Sequence, residues 1–164
     1  MIIEAPDTET AGALADHWVE LAEEQRKHGS QLRTDANRES IRESILRAIV
    51  TDGVYVARAE ADDEYEADAG TILGFVMFGT DAQTFETTVP RGTIQNLYVR
   101  PEYRNQGLGS KLLDIATQKL VDRGIEVVKL EVMAPNEAAK RFYRRHGFEP
   151  HRVQLAKRVE SDNH

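Results

Sequence analysis

From Val99 to Lys111 the chain reads Val-Arg-Pro-Glu-Tyr-Arg-Asn-Gln-Gly-Leu-Gly-Ser-Lys. These residue types suit the binding of an anion. Gly107 and Gly109 let the backbone turn and approach a ligand where a Cβ would clash. A helix pattern begins at the same point, with Leu108, Leu112, Ile115, Ala116 and Leu120 on one face. The glycines therefore fall where a helix offers unpaired N–H groups and the positive end of its dipole, and phosphate is the usual occupant of such a site. The Ser110 hydroxyl and the charges of Arg104 and Lys111 stand ready to assist, although either cation serves equally as a solvated surface group. Two phosphate-loop patterns fail. The dinucleotide fingerprint needs a glycine where Leu112 stands, and the Walker loop needs Lys then Ser/Thr where the order is Ser110-Lys111.

A second chemical group lies downstream. The β-branched run Ile125 to Met133 predicts a strand. Ala134-Pro135 breaks it, and Asn136 is a suitable helix N-cap. A helix is expected over 137–146, ending at Gly147. It carries Tyr143, a phenol that can donate a proton, beside Phe142, which reads as core.

The elements that must position these residues follow from periodicity. Residues 1–5 are apolar and suggest a first strand. Pro6 to Thr10 has helix-start chemistry. A helix is expected over 11–27, with Leu14, Trp18, Leu21 and Ala22 inward, and a second over 38–50, with Ile41, Ile45, Leu46 and Ile49 inward. Strands are expected at 53–59, 71–79 and 93–99, the last stopped by Pro101. The acidic stretch 60–69 reads as a hairpin loop without core residues. The polar stretch 80–92 holds Phe85 and Val89, part of it extended. A last strand is expected at 151–159 and a loose tail at 160–164. This order predicts a single mixed α/β domain over 1–164, without repeat or linker.

Composition narrows the function. The net charge is −7, which disfavours nucleic acid as a partner. There is no cysteine, hence no thiol nucleophile or thiolate metal ligand. His17, His28, His146, His151 and His164 lack metal-ligand spacing, so no metal is implied. No apolar run suits a membrane span and no leader pattern opens the chain, so a cytoplasmic protein is expected. Six lysines and fifteen arginines stand against 28 acidic side chains, a composition suited to high salt.

Both chemical stretches resemble one family. Arg104-Asn105-Gln106-Gly107-Leu108-Gly109 meets the Arg/Gln-x-x-Gly-x-Gly/Ala pattern. It resembles the acetyl-CoA pyrophosphate loop of the GNAT (Gcn5-related N-acetyltransferase) superfamily, as does Val99-Arg100-Pro101 just upstream. Residues 136–148 resemble the same superfamily's Asn-x-x-Ala-x-x-x-Tyr-x-x-x-Gly-Phe motif at every marked position. The resemblance is close over 93–150 and holds in outline before that.

The resemblance implies the GNAT fold, a strongly twisted, mostly antiparallel sheet with flanking helices. Two central parallel strands, here 93–99 and 125–133, splay to admit the pantetheine arm. It implies acetyl-CoA as co-substrate, held by Leu97, Val99, Arg104, Asn105, Gln106, Gly107, Leu108, Gly109, Ser110, Asn136 and Tyr143. It implies Tyr143 as the general acid for the departing thiolate and the Val99 N–H as oxyanion donor. The acceptor would be the primary amine of a small molecule or a protein, and homodimers are common in the family. One feature departs from the pattern: no Asp or Glu occurs from Thr87 to Arg100, where many members carry a general base. Thr93, Gln95 and Asn96 stand there instead. Either a water relay through such polar groups suffices or a carboxylate comes from elsewhere: Glu131 on the parallel strand is a candidate, as are Glu23, Glu24 and His28 at the end of the first helix. A non-catalytic acyl-CoA-binding or sensor protein is the alternative on this scaffold, and a nucleotide-binding regulator would rest on the glycine loop alone.

Overall fold

The computed structural model describes residues 1–81 and 88–160. Its strands are β1 (Ile2–Glu4), β2 (Val54–Arg58), β3 (Ile72–Thr80), β4 (Arg91–Val99) and β5 (Val127–Lys129). Its α-helices are α1 (Ala11–Arg26), α2 (Arg38–Val50), α3 (Leu108–Asp122) and α4 (Glu137–Arg145). The strands form one sheet in the order β1-β2-β3-β4-β5, antiparallel except for the parallel pair β4-β5. This is the mixed sheet between helices that the motif order implied.

β3 is buried from Ile72 to Phe78, as a central strand covered on both faces must be. Its side chains divide between two cores, with the alternation broken at Leu73–Gly74, where the pairing with β2 shifts register. On one face Phe75 and Met77 meet Tyr98, with Leu14, Trp18 and Leu21 of α1 and Ile45 of α2. On the other, Leu73, Val76 and Phe78 meet Ile94, with Leu108, Leu112, Leu113, Ala116 and Leu120 of α3. Full burial of each large aliphatic or aromatic side chain contributes about 1.5–3 kcal/mol. The two layers thus clamp β4 from both sides at the point where it leads into the glycine loop.

Several expectations need correction. The strand expected over 125–133 is paired only at Val127–Lys129, because the ladder with β4 has three rungs and then stops. The strand expected at 151–159 does not form. Those residues belong to no ladder and are all exposed, since a strand needs a partner that local pattern cannot supply. The loop 60–69 does carry a core residue, Tyr65, which is buried against Tyr103. In α2 only Ile45 is fully buried, while Ile41, Leu46 and Ile49 are partly so. Part of the polar stretch 80–92 is extended as expected, Thr80 ending β3 and Arg91 and Gly92 opening β4, while residues 82–87, Phe85 among them, and 161–164 of the expected tail lie outside the described residues. No described helix is long and apolar enough to cross a membrane.

Candidate active site

The site starts from how β4 parts from its parallel neighbour. Arg91, Gly92 and Thr93 pair with Val127, Val128 and Lys129, and the pairing ends there. Further along, β4 keeps only its partner β3, with Val99 opposite Gly74 and Leu97 opposite Val76. The Arg100 N–H donates to the Leu73 carbonyl at 2.9 Å. Backbone groups alternate sides along a strand, so the N–H and C=O of Leu97 and Val99 turn away from β3, into the space that β5 has left. The Val99 carbonyl is taken by Arg104 Nε at 2.8 Å. Its N–H faces the gap.

Beyond β4, a 3-10 turn at Pro101–Tyr103 leads to Asn105 and Gly107, both at positive φ (63° and 84°). The left-handed turn at Gly107 starts α3, whose first helical bond runs from the Lys111 N–H to the Gly107 carbonyl at 3.2 Å. The amides of Leu108, Gly109 and Ser110 therefore have no partner within the helix. No acidic side chain sits in this first turn to compete for them. Asn105 and Gln106 are exposed beside them.

α4 closes the site from the far side. The Asn136 side chain accepts the Ala139 N–H at 3.1 Å, a local cap. Phe142 packs on Gly109, where an added Cβ would come within 3.4 Å of the ring. Ser110 Oγ and His146 Nε2 lie 2.9 Å apart, joining the first turn of α3 to the end of α4. Tyr143 stands edge-on to both Phe142 (centroids 5.1 Å apart) and Phe148 (5.7 Å). Burial in this aromatic cluster pushes its phenol up to about 12, so the hydroxyl stays protonated at neutral pH.

On the opposite face α1 supplies acids. Arg104 Nη2 bonds both carboxylate oxygens of Glu24 at 2.8 Å, with the guanidinium over the Tyr98 ring. Arg104 thus faces α1 rather than the open end of the loop. The Tyr98 hydroxyl donates to Glu20 at 3.1 Å, and Glu20 also lies 3.2 Å from His17 Nδ1. Burial, and then the Glu20 carboxylate, raise the Tyr98 phenol far above its ordinary value. Glu23 accepts from the Thr34 hydroxyl. Glu20, Glu23, Glu24, Tyr98, Arg100 and Glu102 line an open cleft of about 400 Å³. Glu131 is exposed beyond the end of β5 and does not line it.

Sequence reasoning missed Glu20 and Tyr98. The signal was present: Glu20, Glu23 and Glu24 fall at i, i+3 and i+4 on one helix face, and Tyr98 must face opposite to Val99.

Burial raises four phenols, Tyr55, Tyr65, Tyr98 and Tyr143, and the last two, raised furthest, set an alkaline limit on stability. An unfolded tyrosine ionises near pH 10, while Tyr98 and Tyr143 stay neutral above that in the folded chain. The unfolded state then binds fewer protons, so stability holds below about pH 10 and falls above it. Urea midpoints are expected to drop between about pH 9.5 and 11, and Tyr143→Phe to lessen the drop. Equal midpoints across that range would contradict the burial of both phenols.

Comparison with known proteins agrees with the fold. The model of the acetyltransferase (GNAT) family matches residues 13–148. An uncharacterized N-acetyltransferase of Archaeoglobus fulgidus is 34% identical over 92 residues, covering 56% of either chain. An L-methionine sulfoximine/L-methionine sulfone acetyltransferase of Pseudomonas paraeruginosa is 35% identical over 82 residues, 49% of this chain and 46% of that one. The matches thus span about half the length of these curated relatives. The crystal structure of a GCN5-related N-acetyltransferase from Ralstonia eutropha superposes with a TM-score of 0.72 at 20% identity, covering 96% of this chain and 97% of that one. With the family model spanning both motifs, the chain belongs to the GNAT acetyltransferase family.

Proposed function

We propose that this chain is an N-acetyltransferase that moves an acetyl group directly from acetyl-CoA to a primary amine. The observation that carries the reading is the gap beside β4. An N–H at Val99, the free amides at the start of α3 and the protonated Tyr143 belong to the elements around it. The amides of Leu108, Gly109 and Ser110 suit the pyrophosphate, with Asn105, Gln106 and Gly107 shaping the turn. Leu97 and Val99 suit the pantetheine amides as an added strand would, and Asn136 is placed to contribute from α4. In the reaction the amine nitrogen attacks the thioester carbonyl carbon. The Val99 N–H steadies the oxyanion, the C–S bond breaks, and the Tyr143 hydroxyl protonates the departing sulfur. The proton that the attacking nitrogen gives up on becoming an amide restores the phenol.

An alkylammonium ion, with a pKa of roughly 10, must first lose a proton. β4 carries no carboxylate, so that proton passes to the acidic cleft of α1. Glu20 and Glu24 are its members nearest β4, each tied to it through Tyr98 or Arg104. Glu131 is the rival from the parallel strand. The acceptor is a small-molecule or protein amine, and the cytoplasm, where acetyl-CoA is met, is the compartment this reading assigns. The missing strand carboxylate is also the one observation that favours a non-catalytic acyl-CoA sensor.

Thiol release from acetyl-CoA against a panel of amines, in dilute and molar KCl, separates the two. Amine-dependent release is expected. Tight acetyl-CoA binding with no release from any amine or peptide would favour the sensor. In the pH–rate profile, the base must be deprotonated, so the rate falls on the acid side. That limb is expected to vanish in Glu20→Gln or Glu24→Gln and to persist in Glu131→Gln; the reverse pattern would move the base to the strand.

A further inference from the structure

One carboxylate holds the rung at which the two parallel strands part. Thr93 and Lys129 are register partners and form the last rung of the β4–β5 ladder. Asp81, one residue past the end of β3, bonds both of them. Its Oδ1 accepts from the Thr93 hydroxyl at 2.6 Å, and its Oδ2 lies 3.0 Å from Lys129 Nζ. The Asp81 N–H donates to the Arg91 carbonyl at 3.0 Å, which fixes the backbone that carries the carboxylate. Burial by itself would raise this carboxyl, but the bonds from Thr93 and Lys129, with the Arg91 charge, outweigh it and hold it below its ordinary range. The group is therefore ionised at neutral pH. Gly92 and Ile94 face α3, so Thr93 between them faces away. The carboxylate thus grips the rung from the face opposite α3 and ties three neighbouring strands.

We propose that Asp81 is a positioning residue: by tying Thr93 to Lys129 it fixes the closed end of the gap that the pantetheine arm of acetyl-CoA enters. Two features make this rung the place where such a tie matters. Met77 pairs with Asn96 while Phe78 pairs with Ile94, so Gln95 is an extra residue that bends β4 just beyond Thr93. β5, for its part, has no neighbour on its outer edge among the described residues, and three rungs hold it to β4. A short strand beside a bent one frays from its last rung. Fraying here would move the closed end of the gap back toward Arg91 and swing residues 130–133 away from β4. A gap ordered before its ligand arrives lowers the cost of binding. The α3 amides that suit the pyrophosphate lie past the other end of β4, so the tie acts on the pantetheine arm and not on the phosphates. The inference rests on the acetyltransferase reading for its ligand and on the geometry alone for the tie.

Hydrogen exchange of the protein without ligand tests the tie. Because β5 pairs with β4 alone, protection of the Val127–Lys129 amides reports the ladder. Asp81→Asn keeps an acceptor for Thr93 and loses the charge facing Lys129. It is expected to speed the exchange of these amides about three- to tenfold, and Asp81→Ala further. The charge swap, Asp81→Lys with Lys129→Asp, restores the ion pair and is expected to recover most of the protection that either single change loses. Unaltered protection in Asp81→Ala would overturn the tie. Both side chains are partly exposed, Asp81 at 21% and Lys129 at 43%, so the variants keep the fold, which circular dichroism checks. Calorimetric binding then tests what the tie is for. Acetyl-CoA is expected to bind Asp81→Asn about three- to tenfold more weakly than wild type. The nucleotide half 3′-phospho-ADP, which lacks the pantetheine arm, is expected to bind both alike. Equal weakening of the two ligands, or of neither, would end the positioning role. A wild type that binds neither ligand would sink the acetyltransferase reading and the positioning role with it, while the exchange rates would still judge the tie.

Discussion

Tyr143→Phe is expected to lower turnover by about a hundred- to ten-thousand-fold, the usual worth of a positioned general acid, while leaving acetyl-CoA affinity nearly unchanged. The substitution removes one hydroxyl and keeps the ring. The edge-on contacts with Phe142 and Phe148 depend on the ring alone, so the aromatic cluster and the fold remain. What disappears is a proton donor that burial holds at about 12, hence ready at every pH where the enzyme works. For the same reason the phenol does not shape the pH profile of the wild type below about pH 11. Steady-state kinetics with a saturating amine, beside calorimetric binding of acetyl-CoA, provide the measurement. Turnover that survives the substitution would remove Tyr143 from the mechanism even if the activity stands.

The second large effect comes from the side of β4 that faces away from the gap. Gly74 on β3 lies opposite Val99. A Cβ there would sit 2.5 Å from the Tyr98 carbonyl oxygen, 3.2 Å from Val99 Cα and 3.3 Å from Leu112 Cδ1. The first two are backbone atoms held by the ladder, so β4 itself must move. Gly74→Ala is therefore expected to cost about 1–3 kcal/mol, as overpacking of a tight core does. In a chain of this size that lowers the melting temperature by about 2–4 °C per kcal/mol. It should also displace the Val99 amide, so that kcat falls even well below the new melting point. Full activity in a protein that merely melts earlier would show that the Val99 position is not critical.

The fold and the site were legible in the sequence to different depths. Helix faces read well because their period is local: Leu14, Trp18, Leu21 and Ala22 of α1 are all buried as expected. In α3, Leu113 is buried beside the expected face, because the helix lies across β2, β3 and β4. Strand existence was readable from β-branched runs, but strand length was not. Where β5 stops is decided by how far it keeps its register with β4, a relation between distant segments. The same holds for 151–159, where the alternation is legible but no ladder forms among the described residues. At the site, the glycine loop and Tyr143 were visible as motifs. The commitment of Arg104 to Glu24 was not, since the pair is separated by 80 residues and neither residue is unusual in its local context. Glu20 and Tyr98 escaped for a related reason: their contact exists only once α1 lies across β4.

The early end of the β4–β5 ladder has a thermodynamic consequence. A sheet normally satisfies its own amides and carbonyls. Here a stretch of β4 leaves them to water or to a guest, so the native state is finished by something other than the chain. A molecule that fills the opening binds only the folded form and draws the folding equilibrium with it, by about 2.7 kcal/mol at a hundred times its dissociation constant. Stability in the cell thereby becomes a reading of ligand supply, and a starved protein is a softer one.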